Sequence, residues 1–228
     1  MSHTLRFNAF SMIHKALRGM LYDAATCLQH ADFTNTEDAR AVFQKIDIIL
    51  ELFDDHADHE DALILPMVND HDKALVTSFE EEHVKDRNLC VDLRSGMAAY
   101  HDASTPAERV MAGNKVFFAF NEFIAFNLQH TNREETVLNE VLWENYTDQD
   151  IMAVNQKIAA NIPPEKAIIN VTWMMRSCNN MELAGFMKMI RATAPPERVA
   201  LLMGLAQKEL APARWELIQE MIGQAIPA

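Results

Sequence analysis

An all-α protein is predicted, an antiparallel up-and-down four-helix bundle with an appended C-terminal layer of short helices, and three observations predict it. Apolar residues recur at helical spacing through four long stretches. The side chains that lose least on entering a helix (Leu, Ala, Met, Glu, Lys, Gln) dominate them, and the 228 residues include only six glycines and eight prolines. Most of the prolines and the Ser/Thr/Asn/Asp clusters fall between these stretches, where helices start and stop.

The first helix is expected from about Thr4 to Ala31, with Phe7, Phe10, Ile13, His14, Leu17, Leu21 and Leu28 on one stripe. Asp32-Phe-Thr-Asn-Thr-Glu-Asp then reads as a polar turn, an N-cap and an acidic first turn. A second helix carries Val42, Ile46, Ile49, Phe53, His56 and Glu60 and should end or kink near Pro66. The third runs from about Asp70 to Asp102 through Leu75, Phe79, His83, Cys90 and Leu93. Ser104-Thr-Pro-Ala-Glu108 resembles a capping box with proline at the first helical position. It opens a phenylalanine-rich fourth helix (Phe117, Phe118, Phe120, Phe123, Phe126) that continues to about Asn145.

Residues 1–146 are therefore assigned to the bundle and 147–228 to a helical extension packed on it. Thr147-Asp-Gln-Asp and Pro163-Pro164-Glu open short helices of about 12 to 16 residues, and Asn179-Asn180 and Pro195-Pro196-Glu punctuate two more. Trp143, Trp173 and Trp215 are expected to pack this layer against the bundle. No internal repeat or low-complexity tract is evident.

A formal charge of −13 opposes binding to nucleic acid or an anionic membrane, since phosphate affinity comes from Lys and Arg. No apolar run approaches the roughly 18 residues of a membrane span, and the first residues lack a signal-peptide h-region. Cys27, Cys90 and Cys178 are odd in number and far apart, which suits reduced, buried thiols and a cytoplasmic setting.

Four histidines, His14, His56, His83 and His130, sit near the middles of the four long helices. Two carry a glutamate one turn on, as His56-Ala-Asp-His-Glu60 and His130-Thr-Asn-Arg-Glu134. At a 1.5 Å rise per residue, His14 and His56 lie about 26 and 29 Å from the first turn. His56 and His83 lie about 18 and 20 Å from the second, and His83 and His130 about 29 and 36 Å from the third. The four imidazoles can therefore converge on one slab of an antiparallel bundle. Burying four histidines and two glutamates in one core costs several kcal/mol unless something satisfies them. Imidazole suits iron, zinc and copper, and a carboxylate can span two ions. On a helix, His and Glu at i and i+4 share a face. Four nitrogens and two bridges spread over two metals leave coordination positions open, as a reactive site requires. Phe10, Phe79 and Phe126 each precede a ligand histidine by one turn and are expected to line the site.

The order His, His-x-x-x-Glu, His, His-x-x-x-Glu over about residues 8–145 resembles the hemerythrin-like (HHE cation-binding) family. Met12-Ile-His-Lys-Ala-Leu17 and His59-Glu-Asp-Ala-Leu-Ile-Leu-Pro66 add to the resemblance. It implies a non-haem di-iron centre, oxo- or hydroxo-bridged, with His14, His56, His83 and His130 as terminal ligands and Glu60 and Glu134 as bridges. Manganese and zinc are the alternative ions. Oxygen-carrying members place a fifth histidine four residues after the third-helix histidine, where this chain has Arg87, expected at the pocket. In this the chain is similar to the iron–sulfur-repair branch. Oxygen carriers also set their aspartate five residues after the last histidine, which makes Glu135 the rival of Glu134.

The function expected is binding or reduction of a small diatomic or peroxidic ligand (oxygen, nitric oxide, hydrogen peroxide). The alternatives are an iron donor or store for iron–sulfur cluster repair, and a redox or oxygen sensor that signals to a protein partner through 147–228.

Overall fold

Local capping chemistry sets the helix boundaries in the computed structural model, which describes residues 6–223. The first helix, α1 (Ser11–His30), follows a non-helical stretch; Thr4, the expected start, lies outside the described residues. The turn after it ends at Asn35, whose side chain accepts from the Glu37 N–H and caps α2 (Thr36–His59). Glu37 and Asp38 place negative charge at the positive end of the α2 dipole. Asp72 caps α4 (Lys73–Asp102) in the same way. Thr105 and Glu108 complete a reciprocal capping box, with Pro106 at the start of α5 (Pro106–Arg133).

Neither α2 nor α5 simply ends. Each passes into a π turn, Glu60–Ile64 and Glu134–Leu138, and resumes as α3 (Leu65–Asn69) and α6 (Asn139–Asn145). The N–H of Leu65 bonds to the carbonyl of Glu60 and that of Asn139 to the carbonyl of Glu134, five residues back instead of four. The rod thus passes Pro66 with a changed helical register and does not terminate there.

The described residues form two compact units, 6–10 with 20–162 and 11–19 with 163–223. The first is built around residues 20–30 of α1 with α2, α4 and α5. At one end Phe33 and Phe43 stack and both meet Tyr100 edge to face, with ring centroids 5.1 to 6.3 Å apart. The Tyr100 hydroxyl donates to the Phe33 carbonyl at 3.0 Å. Glycine is required at Gly113, because a Cβ there would lie 2.2 Å from Cγ of Phe33. Further along the core Phe120 stacks on Phe123, and Phe53 meets Phe123 edge to face. The opposite end is closed by Phe10, Ile64, Leu65, Val68, Val76, Phe79, Leu138 and Leu142, which pack with Ile151 of α7 (Asp148–Asn161). Arg6 ties this end together, bonding to Asp148 and to the carbonyls of Trp143 and Tyr146.

The second unit holds α8 (Pro164–Ser177), α9 (Asn180–Thr193), α10 (Pro196–Glu209) and α11 (Pro212–Gly223). Residues 11–19 belong with them: Lys15 pairs with Glu182 at 2.5 Å, and Met12 packs on the Met175, Leu183, Met187 and Trp215 core. Helix α8 packs on α10 and α9 on α11, each element against its next but one.

Here one expectation is corrected. From α7 onward the helices begin at residues 148, 164, 180, 196 and 212, one every 16 residues, so an internal repeat is present. It is carried by the punctuation, Thr147-Asp148, Pro163-Pro164, Asn179-Asn180, Pro195-Pro196 and Ala211-Pro212, and not by matching side chains. The fifth member, opened by Pro212, was absent from the sequence expectation. The tryptophans fall within single units: Trp143 donates to the Phe7 carbonyl in the first, whereas Trp173 and Trp215 lie in the second.

Candidate metal centre

Three helices of the first unit converge histidines and carboxylates on one buried point. α2 and its π turn supply His56 and Glu60, α4 supplies His83, and α5 and its π turn supply His130 and Glu134. Ligand-capable atoms of Glu60, His83, His130 and Glu134, all four residues buried, lie within 4.8 Å of one another. The two Glu60 oxygens face different histidines, Oε1 lying 3.2 Å from His56 Nε2 and Oε2 3.5 Å from His83 Nε2. Glu134 Oε1 lies 2.8 Å from His130 Nε2 and 3.7 Å from His83 Nε2. Each glutamate thus stands between two imidazoles, the position a bridging carboxylate needs. Glu134 is fully buried and belongs to this group, whereas Glu135 is half-buried and does not. His14 is fully buried on α1, within residues 11–19.

The imidazoles are aimed from behind. His83 Nδ1 bonds to Asp61 Oδ1 at 2.6 Å, and Asp61 Oδ2 accepts from Arg87 at 2.8 Å. His130 Nδ1 bonds to Glu82 Oε2 at 2.7 Å, and Glu82 pairs with Arg133. In both chains an arginine holds a carboxylate and the carboxylate holds Nδ1, so Nε2 of each ring turns to the glutamates. Such carboxylate–histidine pairs fix the tautomer and raise ligand basicity.

The sequence reading missed Asp61 and Glu82, because each serves a histidine on another helix. Asp61 follows Glu60 yet holds His83; Glu82 precedes His83 yet holds His130. The signal that could have found them is the doubling of acids beside the ligand positions, Glu60-Asp61 and Glu82-His83. Arg87, expected at the pocket, is placed with its side chain 40% exposed, reaching Asp61 and Asp58.

Phenylalanine surrounds part of the site. The Phe126 ring stacks on His130 at 5.7 Å and 12°, and Phe79 lies 5.8 Å from the same imidazole. Lys85 Nζ lies over the Phe126 ring, 4.8 Å from its centroid, and Arg133 lies over Phe79. Phe10 is buried in the adjacent apolar cluster with Phe79.

The field in this pocket favours positive charge. Burial alone would drive the His83 imidazolium to lose its proton, but the negative charge of Glu134 and Glu60 facing it, with Asp61 behind, outweighs burial and raises the pKa to about 11. His130 is also raised: desolvation opposes the shift, and Glu134 overcomes it. The buried Nε2 of His83 has no hydrogen-bond partner. An orphaned nitrogen facing two buried carboxylates fits a cation bound between them, and the donor set of imidazole and carboxylate suits a first-row transition metal.

The fold and this donor set define an all-helical bundle with a buried histidine–carboxylate centre able to hold a metal. The hemerythrin HHE cation binding domain matches residues 6–142, more than half of the chain, and the chain belongs to that family. No curated protein and no solved structure gives a significant match. Among the described residues, no helix is long and apolar enough to cross a membrane.

Proposed function

We propose that the centre holds two iron ions and that the protein binds or reduces a small ligand (oxygen, nitric oxide or hydrogen peroxide) there. His56, His83 and His130 are the terminal ligands, with His14 of α1 as the fourth, and Glu60 and Glu134 are the bridges. The observation that carries this reading is Glu60, whose two oxygens face the imidazoles of two different helices.

Ferrous iron bound at this site would supply electrons to the ligand. The chain's own residues do the rest. Four imidazoles and two shared carboxylates leave positions open on a pair of ions. Arg87 stands where oxygen carriers of the family place a further histidine, and its engagement with Asp61 and Asp58 leaves the imidazole count at four. Asp61 and Glu82 hold the rings in the ligating tautomer while charge changes beside them. Phe79 and Phe126 flank His130 and limit the approach of water.

The test is elemental analysis of protein prepared without chelator, followed by anaerobic exposure of the ferrous form to oxygen and to nitric oxide. About two iron ions per chain and a changed near-ultraviolet and visible spectrum with either gas are expected. Manganese or zinc in place of iron, or a spectrum that neither gas alters, would overturn the proposal.

A further inference from the structure

Helix α5 carries apolar residues on two opposite sides. The inner side buries Ala112, Val116, Phe120 and Phe123 in the core of the bundle. The outer side presents Ala107, Met111, Asn114, Phe118, Asn121 and Ala125, all exposed, at intervals of four, three, four, three and four residues. That alternation is the seam of a helix that packs on another helix. Met111 is 65% exposed and Phe118 64%, and the Phe118 ring meets that of Phe117 edge to face at 5.4 Å. A helix with apolar residues on both sides is ordinarily covered on both.

The charges beside the seam identify the cover. The outer sides of the other long helices are strongly charged, with Glu37, Asp38 and Glu51 exposed on α2 and Glu80, Glu81 and Asp92 on α4. On α5, beyond the Glu108 of its capping box, the exposed charges are Lys115 and Glu122. Neither has an ion pair or hydrogen bond among the described residues. They flank Phe118, three residues before it and four after. Positions seven apart drift only about 20° around a helix, so both lie along one edge of the seam. A second copy turned end for end about a two-fold axis at Phe118 sets Lys115 of each chain beside Glu122 of the other, twice. A parallel copy sets lysine against lysine and glutamate against glutamate. A chain of net charge −13 repels its own copies over most of its surface. On this side the repulsion is least and the remaining charges attract.

We propose that the outer side of α5 is a self-docking surface, on which two copies of the chain pair through antiparallel α5 helices with Phe118 at the two-fold axis and a Lys115–Glu122 ion pair on each side of it. The seam continues to Asn132, about 38 Å from Ala107 at the helical rise, and a helix about 10–12 Å across covers roughly 400 Å² per copy there. A total of roughly 800 Å² belongs to reversible association, so the dimer forms and separates with concentration.

Sedimentation of the full chain over about 5 to 500 μM tests this. The wild-type mass should rise from 25.9 kDa toward twice that value as concentration increases. Phe118→Asp should weaken association about a hundredfold, because the axis brings this residue from both copies to the middle of the contact. Lys115→Glu and Glu122→Lys should each weaken it about tenfold by setting like charges opposite one another. The double variant should recover, and an equimolar mixture of the two single variants should pair with each other. All three positions lie outside the metal-capable group, so iron content and far-ultraviolet dichroism should match wild type in every variant. Wild type that stays at 25.9 kDa throughout would assign this side of α5 to a different partner and overturn the proposal. So would a dimer that Phe118→Asp leaves intact, or a double variant that associates no better than the single ones.

Discussion

Asp61→Asn tests how much of the affinity of the centre resides outside its ligands. His83 is 1% exposed and its Nδ1 lies 2.6 Å from Asp61 Oδ1, so the imidazole has one partner that fixes its tautomer. Asparagine can still accept from Nδ1 through its amide oxygen, and the fold should survive. The change removes the negative charge that strengthens the hydrogen bond and makes Nε2 more basic. Loss of such a partner typically costs 10–100-fold in metal affinity, about 1.4 to 2.7 kcal/mol. Arg87→Ala is the matched control. Its pairs with Asp61 and Asp58 are 40% exposed on the arginine side, and exposed pairs contribute roughly 0–1 kcal/mol. Competition against a chromogenic chelator, with far-ultraviolet dichroism to check folding, measures both. A folded Asp61→Asn protein that binds metal as tightly as wild type would refute the claim that Asp61 positions a ligand.

Three further outcomes follow from the same geometry. Glu134→Gln should lower the metal content per chain while Glu135→Gln leaves it unchanged, as read by elemental analysis, because Glu134 lies 2.8 Å from His130 Nε2 within the metal-capable group and Glu135 lies outside that group. His83, whose folded pKa is raised from 6.5 to about 11, gives the metal-free protein stability that is fully present below about 6.5 and lost as pH rises through about 11. Its Nε2 ligates only when neutral, so metal uptake at about pH 8 should release protons, seen as calorimetric heats that scale with buffer ionisation enthalpy. Gly113→Ala would set a Cβ 2.2 Å from the Phe33 ring and should cost about 1–3 kcal/mol, lowering the thermal midpoint by several degrees.

The bundle was legible because its signals are local. Asn35, Asp72, Thr105 and Thr147 cap the helices that their sequence neighbourhoods announce. The approach of His56, His83 and His130 to Glu60 and Glu134 was legible because short turns make neighbours antiparallel and the rise per residue is fixed. What escaped was relational. Asp61 and Glu82 gain their roles from histidines 22 and 48 positions away, which no local pattern encodes. The 16-residue period escaped because hydrophobic periodicity reads the faces of helices, whereas the repeat lies in the spacing of their starts. Arg87 was drawn toward the pocket by its place in the family pattern, but a guanidinium four residues beyond a buried histidine is held at the surface by Asp58 and Asp61.

The two π turns show why the centre shapes the backbone around it. In both, the buried positions after the glutamate fall at the fourth, fifth and eighth residues: Ile64, Leu65 and Val68 after Glu60, and Leu138, Asn139 and Leu142 after Glu134. Proline is not the common cause, since Pro66 adjoins the first turn and no proline lies in or beside the second. The shared feature is the His-x-x-x-Glu stretch, which must stay α-helical for both side chains to face one point. Beyond it the rods must also present Ile64, Leu65, Val68, Leu138 and Leu142 to the apolar cluster that closes this end. A continuous α-helix advances about 100° per residue and fixes the second direction once the first is chosen. One extra residue in the turn frees the two from each other. The irregularity starts at the glutamate in both copies because that is where the demands of the polar centre end and those of the apolar core begin.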